Sequence, residues 1–83
     1  MRYYVYILFS DSLQRYYTGQ CQDLANRLHE HNAGETPSIK RGVPWRLLWH
    51  AEIETRSEAM QLEKKIKSRG AARYLLDLGT LLK

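Results

Sequence analysis

The sequence predicts a small α+β domain with the element order β-β-α-β-α-α, and three observations predict it. Residues 3–9, Tyr-Tyr-Val-Tyr-Ile-Leu-Phe, are aromatic or aliphatic throughout, the composition of a strand buried on both faces. From Trp45 to Ile53 the side chains alternate. Trp45, Leu47, Trp49, Ala51 and Ile53 fall on one side and Arg46, Leu48, His50 and Glu52 on the other, giving one strongly apolar face. Two later segments carry apolar residues at helical spacing, Ala59, Leu62 and Ile66 in one and Leu75, Leu76, Leu78 and Leu82 in the next.

Taken in order, strand one at 3–9 is followed by a polar turn, Ser10 to Arg15, and strand chemistry resumes from Tyr16 to Gln20, so the two runs form an antiparallel hairpin. Tyr6 and Tyr17 are eleven positions apart. Across a loop with an even number of residues and no bulge, that odd separation puts both phenols on one face of the sheet. Asp23 can cap a helix running to about Asn32, with Gly34 just beyond its end. Leu24, Arg27, Leu28 and His31 share an arc about 100° wide on that helix, so an arginine and a histidine lie on the leucines' side.

Ala33 to Val43 reads as a loop carrying the basic pair Lys40-Arg41, and Pro44 precedes strand three, which ends near Glu54. Thr55 and Glu58 fit a capping box for helix two, Arg56 to about Ser68, which Gly70 ends. Its apolar arc is Ala59, Leu62 and Ile66 with Met60 at the edge, and Glu63 falls inside it. Helix three covers Ala71 to Leu82.

At 83 residues the chain is one domain, spanning 1–83, with a modest core and no room for a separate recognition module. Hydrophobic residues at 43% and charged residues at 27% are ordinary for a globular protein and argue against a membrane or disordered chain. The longest apolar run is too short to span a bilayer, and the chain shows no signal-peptide pattern, so a cytoplasmic protein without a targeting sequence is expected. Net charge +4 and a pI near 9.4 lean toward a polyanionic partner, with solubility as the plainer explanation. Cys21 is alone, so no internal disulfide forms, and nothing local marks it as a nucleophile. His29 and His31 point in different directions on a helix, which makes a zinc site poor.

Polar groups on an inward stripe need a partner or a task, because burying an unpaired charge costs several kcal/mol on an order-of-magnitude scale. Each has an ordinary explanation: Glu63 an ion pair with Lys67, Arg27 one with Glu30, the tyrosines a place in the core. Together they are more informative. Phosphodiester hydrolysis needs a hard cation held by oxygen, a positive charge for the phosphate, and a group that orients or deprotonates water. Two same-face tyrosines, an arginine, a histidine and one carboxylate in a basic protein supply each part.

These residues resemble the GIY-YIG nuclease superfamily. Tyr4-Val5-Tyr6 stands where the first half-motif ends in tyrosine, and Tyr17-Thr18-Gly19 stands for the second, with Tyr4 replacing Gly and Thr18 replacing Ile. Arg27 lies ten residues after the second tyrosine, and Glu63 opens the Lys-rich half of helix two. His31-Asn32 and the chain's whole length are similar to the small, stand-alone YhbQ-like bacterial branch.

The resemblance implies an α/β sandwich with a three-stranded antiparallel sheet flanked by helices, and one divalent ion, Mg²⁺ or Mn²⁺, bound by Glu63. Arg27 would contact the scissile phosphate, and Tyr6 and Tyr17 would orient or activate water. His31 is the alternative general base, since its unperturbed pKa suits neutral pH better than tyrosine's. The implied activity is metal-dependent DNA endonuclease, structure-directed or weakly sequence-specific, in DNA repair or recombination. The alternative is a catalytically weak nucleic-acid-binding or adaptor module that keeps the fold, and RNA stays open as a substrate. All five site residues are expected to converge on one concave patch. Lys40, Arg41, Arg46, Lys64 and Lys67, with Lys65, Arg69 and Arg73 beyond, are expected to flank it and grip phosphates, against the alternative of a solvated face.

Overall fold

Strand β1, Tyr3–Ser10, lies at the centre of a three-stranded antiparallel sheet of order β2-β1-β3, where β2 is Arg15–Cys21 and β3 is Trp45–Ile53. The computed structural model describes residues 2–79. Its helices are α1, Leu24–Asn32, α2, Arg56–Arg69, and α3, Ala71–Asp77. Helix three, expected to reach Leu82, ends at Asp77 with Leu78 as its cap and Gly79 at positive φ, and the expected remainder, Leu82 included, lies outside the described residues. None of the described helices is long and apolar enough to cross a membrane.

The central position of β1 explains why its sequence is apolar on both sides. Val5 and Ile7 face α2 and α3, where they pack with Ala59, Ile66 and Leu75. Tyr6 and Leu8 face the opposite way and pack with Cys21 and Trp45 under Leu24 and Leu28 of α1. The result is the sandwich that the resemblance implies, with helices on both faces of the sheet. The hairpin register also agrees with expectation. Four residues separate Ser10 from its partner Arg15, and the pairs Leu8–Tyr17 and Tyr6–Gly19 put both phenols on the α1 side.

Three expectations are corrected. The alternation along strand three does not describe a single face, because β3 carries a bulge. Ile7 pairs with Trp49 but Leu8 pairs with Leu47, leaving Leu48 as the extra residue. One inserted residue reverses the pleat, so Trp45 and Leu47 join the α1 side while Trp49 and Ile53 join the α2 side. Segment 33–43 is also not simply a loop, since Pro37–Gly42 forms a 3-10 helix. Trp45 holds it down. The indole N–H donates to the Ile39 carbonyl at 2.8 Å, and the ring lies so close over Gly42 that a Cβ there would collide with it. Met60, placed at the edge of an apolar arc, is exposed.

Asn32, the last residue of α1, fastens the helix to the sheet. Its Oδ1 accepts from the Trp45 N–H at 2.6 Å and its Nδ2 donates to the Trp45 carbonyl at 3.0 Å. The side-chain amide thus pairs with the open edge of β3 as another strand would, a service that only an amide at this position performs. Asn32→Ala is expected to lower stability by about 1–3 kcal/mol through the two unpaired backbone groups, read as a shift in denaturant midpoint at unchanged slope. An unchanged midpoint would show that the fastening carries no weight.

Candidate active site

The site begins with a missing side chain. On β2, Gly19 lies beneath the Tyr6 ring, and a Cβ there would come within 2.6 Å of the Tyr6 hydroxyl and 2.8 Å of Cζ. Only a hydrogen fits, so the glycine allows the phenol to lie flat across the neighbouring strand. The Tyr6 hydroxyl lies 2.9 Å from Nε2 of His31, and Nδ1 of His31 lies 2.9 Å from Oγ1 of Thr36. His31 is only 2% exposed. Tyr17 completes the cluster, its ring 6.4 Å from that of Tyr6, 5.3 Å from the imidazole and 6.2 Å from the Trp45 indole. The Tyr17 hydroxyl has no protein partner among the described residues and reaches solvent.

Burial sets the protonation of this cluster. Loss of solvent, then the nearby Tyr17, push the Tyr6 phenol well above its ordinary pKa. Loss of solvent, then the charge of Arg27, hold His31 below its ordinary value. At neutral pH the pair is a phenol beside a neutral imidazole. Two tautomers are open to the ring, and hydrogen bonding separates them. With the proton on Nδ1, Thr36 accepts from the imidazole and buried Tyr6 donates into Nε2. The other tautomer would leave the Tyr6 proton without an acceptor in the interior, which is the costlier arrangement. His31 therefore stands behind Tyr6 with both nitrogens engaged, and the Tyr6 oxygen keeps lone pairs for a further donor.

The other two expected site residues stand apart from this cluster. Arg27 is 44% exposed rather than inward and pairs with Glu30 at 3.2 Å, so its place within the leucine arc overstated its burial. It sits at the rim, where its charge still acts on Tyr6, Cys21 and His31. Glu63 is 19% exposed on α2, in the other helical layer, held by Gln20 Nε2 at 2.9 Å and Lys67 Nζ at 2.8 Å. Gln20 projects from β2 on the face opposite Tyr17. The five residues thus gather around the β2 edge, three in contact, Arg27 at the rim and Glu63 across the strand. Glu63 still acts by its charge on the Tyr6 phenol from across the strand.

Among the cations, Lys40 and Arg41 are exposed on the 3-10 segment, and Lys64 is exposed beside Glu63. Arg46 is engaged elsewhere. It makes a two-pronged ion pair with Asp11 at 2.9 and 3.1 Å and lies over the Phe9 ring, on the α2 side of the sheet. Its guanidinium holds the Asp11 carboxyl below the usual range.

Sequence reasoning missed the parts played by Thr36 and Gln20. Thr36 lies past the end of α1, where helical periodicity stops, and Gln20 finds its partner 43 positions away. Among the described residues no group of three or more His, Cys, Asp or Glu comes together. Glu63 therefore offers one carboxylate. Its present partners leave lone pairs on both oxygens, a donor set that suits an ion keeping most of its water and completing its shell with substrate phosphate oxygens.

Residues 2–74 match the GIY-YIG catalytic domain family. A UPF0213 protein of Haloquadratum walsbyi is 42% identical over 67 residues, covering 80% of this chain and 74% of the relative. One from Oceanobacillus iheyensis is 39% identical over 67 residues, covering 80% and 77%. The solution NMR structure of a UPF0213 protein from Bacillus halodurans superposes with a TM-score of 0.58 at 31% identity, covering 94% of this chain and 85% of that one.

The protonation of His31 makes a stability prediction. Its folded pKa lies below the ordinary 6.5, so the unfolded chain takes up this proton more readily. The contribution is complete above the unfolded value and is lost as pH falls through the lowered folded value. Denaturant midpoints are expected to fall from about pH 7 to about pH 5.5, with a smaller fall in His31→Gln. An equal fall in both proteins would contradict the buried neutral imidazole.

Proposed function

The chain belongs to the GIY-YIG catalytic domain family, a family of nuclease type, and on that premise we propose that it is a metal-dependent endonuclease cleaving DNA phosphodiesters. The observation that carries this reading is the buried Tyr6–His31 pair with Tyr17 beside it. A phenol whose pKa is raised by burial is a poor base alone, since forming a phenolate there is unfavourable. The hydrogen bond offers another route. The Tyr6 oxygen accepts a proton from water as its own proton passes to Nε2 of His31, and no free phenolate accumulates. The resulting imidazolium keeps its Nδ1–H bond to Thr36. Tyr17, with its free hydroxyl, orients the same water.

Arg27 stands at the rim, where leaving Glu30 for a phosphate oxygen exchanges one anion for another and places positive charge on the scissile group. Glu63 would hold Mg²⁺ or Mn²⁺, and the ion would supply Lewis-acid stabilisation of charge on the phosphate oxygens. Gln20 fixes one Glu63 oxygen, and Lys67 would move from the other to a phosphate, joined by Lys64, Lys40 and Arg41. With few groups to read base edges, recognition rests on backbone and shape, which suits structure-directed cleavage in repair or recombination.

A second reading is favoured by one observation: both charged site residues already hold internal partners, Glu30 for Arg27 and Lys67 for Glu63. That closed state fits a catalytically weak module that binds nucleic acid or serves as an adaptor.

Cleavage assays on nicked, branched and single-stranded DNA, and on RNA, with Mg²⁺, Mn²⁺ or EDTA separate the two. Activity is expected only with metal, and Glu63→Gln is expected to lose about 100-fold or more while folding and binding persist. Cleavage by Glu63→Gln at the original rate would remove Glu63 from the metal role. A folded protein that binds but never cleaves would favour the second reading.

A further inference from the structure

Arg15, which the sequence assigned to a turn, is the first residue of β2 and pairs with Ser10. The pleat places it on the same face as Tyr17, one side-chain repeat or about 7 Å away. It is exposed and makes no ion pair among the described residues. The same corner holds two more cations. Ser10 pairs on its other side with Trp45, whose ring packs beside Tyr17 and whose N–H holds the 3-10 segment through Ile39. That segment carries Lys40 and Arg41, both exposed and unpaired among the described residues.

Arg56, Lys64, Lys65 and Arg73 also make no ion pair among the described residues, but they belong to α2 and α3. Arg15 instead shares β2 with Tyr17, and Lys40 and Arg41 lie on the segment joined to Tyr17 through Trp45. Arg2, Arg27, Arg46, Lys67 and Arg69 all have carboxylate partners, and the nearest acid in sequence to Arg15, Asp11, is committed to Arg46. Three cations left without counter-charge beside a solvent-reaching tyrosine suit a ligand carrying repeated negative charge. Guanidinium in particular matches phosphate oxygens two at a time.

We propose that Arg15, Lys40 and Arg41 form a phosphate-binding strip that holds the substrate strand on the side of Tyr17 remote from Glu63, with Arg15 on the phosphate next to the scissile one. The proposal rests on the nuclease reading and gives the substrate a path. From Arg15 to Gln20, the residue that touches Glu63, β2 runs five residues or about 17 Å, room for several nucleotides of one strand laid along its edge.

The test is nucleic-acid affinity in EDTA, where metal-dependent cleavage is blocked, measured against salt for two unrelated DNA duplexes, their single strands and an RNA strand. Arg15→Gln is expected to flatten the slope of log affinity against log salt by about 0.7–0.9, the loss of one phosphate contact, equally for unrelated sequences. Arg15→Lys is expected to keep most of the slope. If the unaltered protein binds with a salt-dependent affinity and Arg15→Gln leaves that slope unchanged, the strip is wrong and the nuclease reading stands. If the unaltered protein shows no salt-dependent binding to DNA or RNA, both fall.

Discussion

A phenol buried on a central strand has to satisfy its hydroxyl, and much of this molecule follows from how Tyr6 does so. An unpaired buried hydroxyl costs on the order of 1–3 kcal/mol. His31 is the partner, which requires the C-terminal end of α1 to sit over β1. Asn32, one residue on, ties that end to β3, and Thr36 closes the second nitrogen of the imidazole. Gly19 makes the space in which the phenol lies. The same contacts that stabilise the α1 side of the sandwich also fix a proton donor and acceptor in line, so packing and chemistry are not separable here.

The sheet divides the polar site groups between two layers. The phenols and imidazole belong to the α1 layer, and Glu63 belongs to α2, with Gln20 reaching it from the opposite face of β2. A substrate that engages both has to pass over the edge of β2. The ion pairs of Arg27 with Glu30 and of Glu63 with Lys67 keep both charges satisfied at rest. Each involves partly exposed groups and costs little to exchange for a phosphate.

The sequence showed most clearly what period and turn length control. An even loop between two aromatic strands was enough to place Tyr6 and Tyr17 on one face, and the caps at Asp23 and Thr55 placed the helices. It was misleading where one residue changes the phase. Leu48 is itself apolar, so the bulge there left the alternation of strand three looking unbroken. Arg27 shares an arc with Leu24 and Leu28, but a long side chain at the margin of an arc can turn outward, and Glu30 draws it there. Thr36 and Gln20 were invisible for another reason, since their roles depend on partners brought together only by folding. Arg15 was hidden by a boundary shifted by one residue, enough to move it from a turn to the strand that carries Tyr17.

The central claim is that His31 is neutral and holds its proton on Nδ1, leaving Nε2 to accept from Tyr6. Long-range ¹H–¹⁵N correlation of the imidazole ring at neutral pH reads this directly, because protonated and bare ring nitrogens have distinct ¹⁵N shifts. The expected result is a protonated Nδ1 and a bare Nε2, with the Nε2 shift altered in Tyr6→Phe. A proton on Nε2 or a charged imidazolium at neutral pH would contradict the arrangement from which the chemistry of this site is derived.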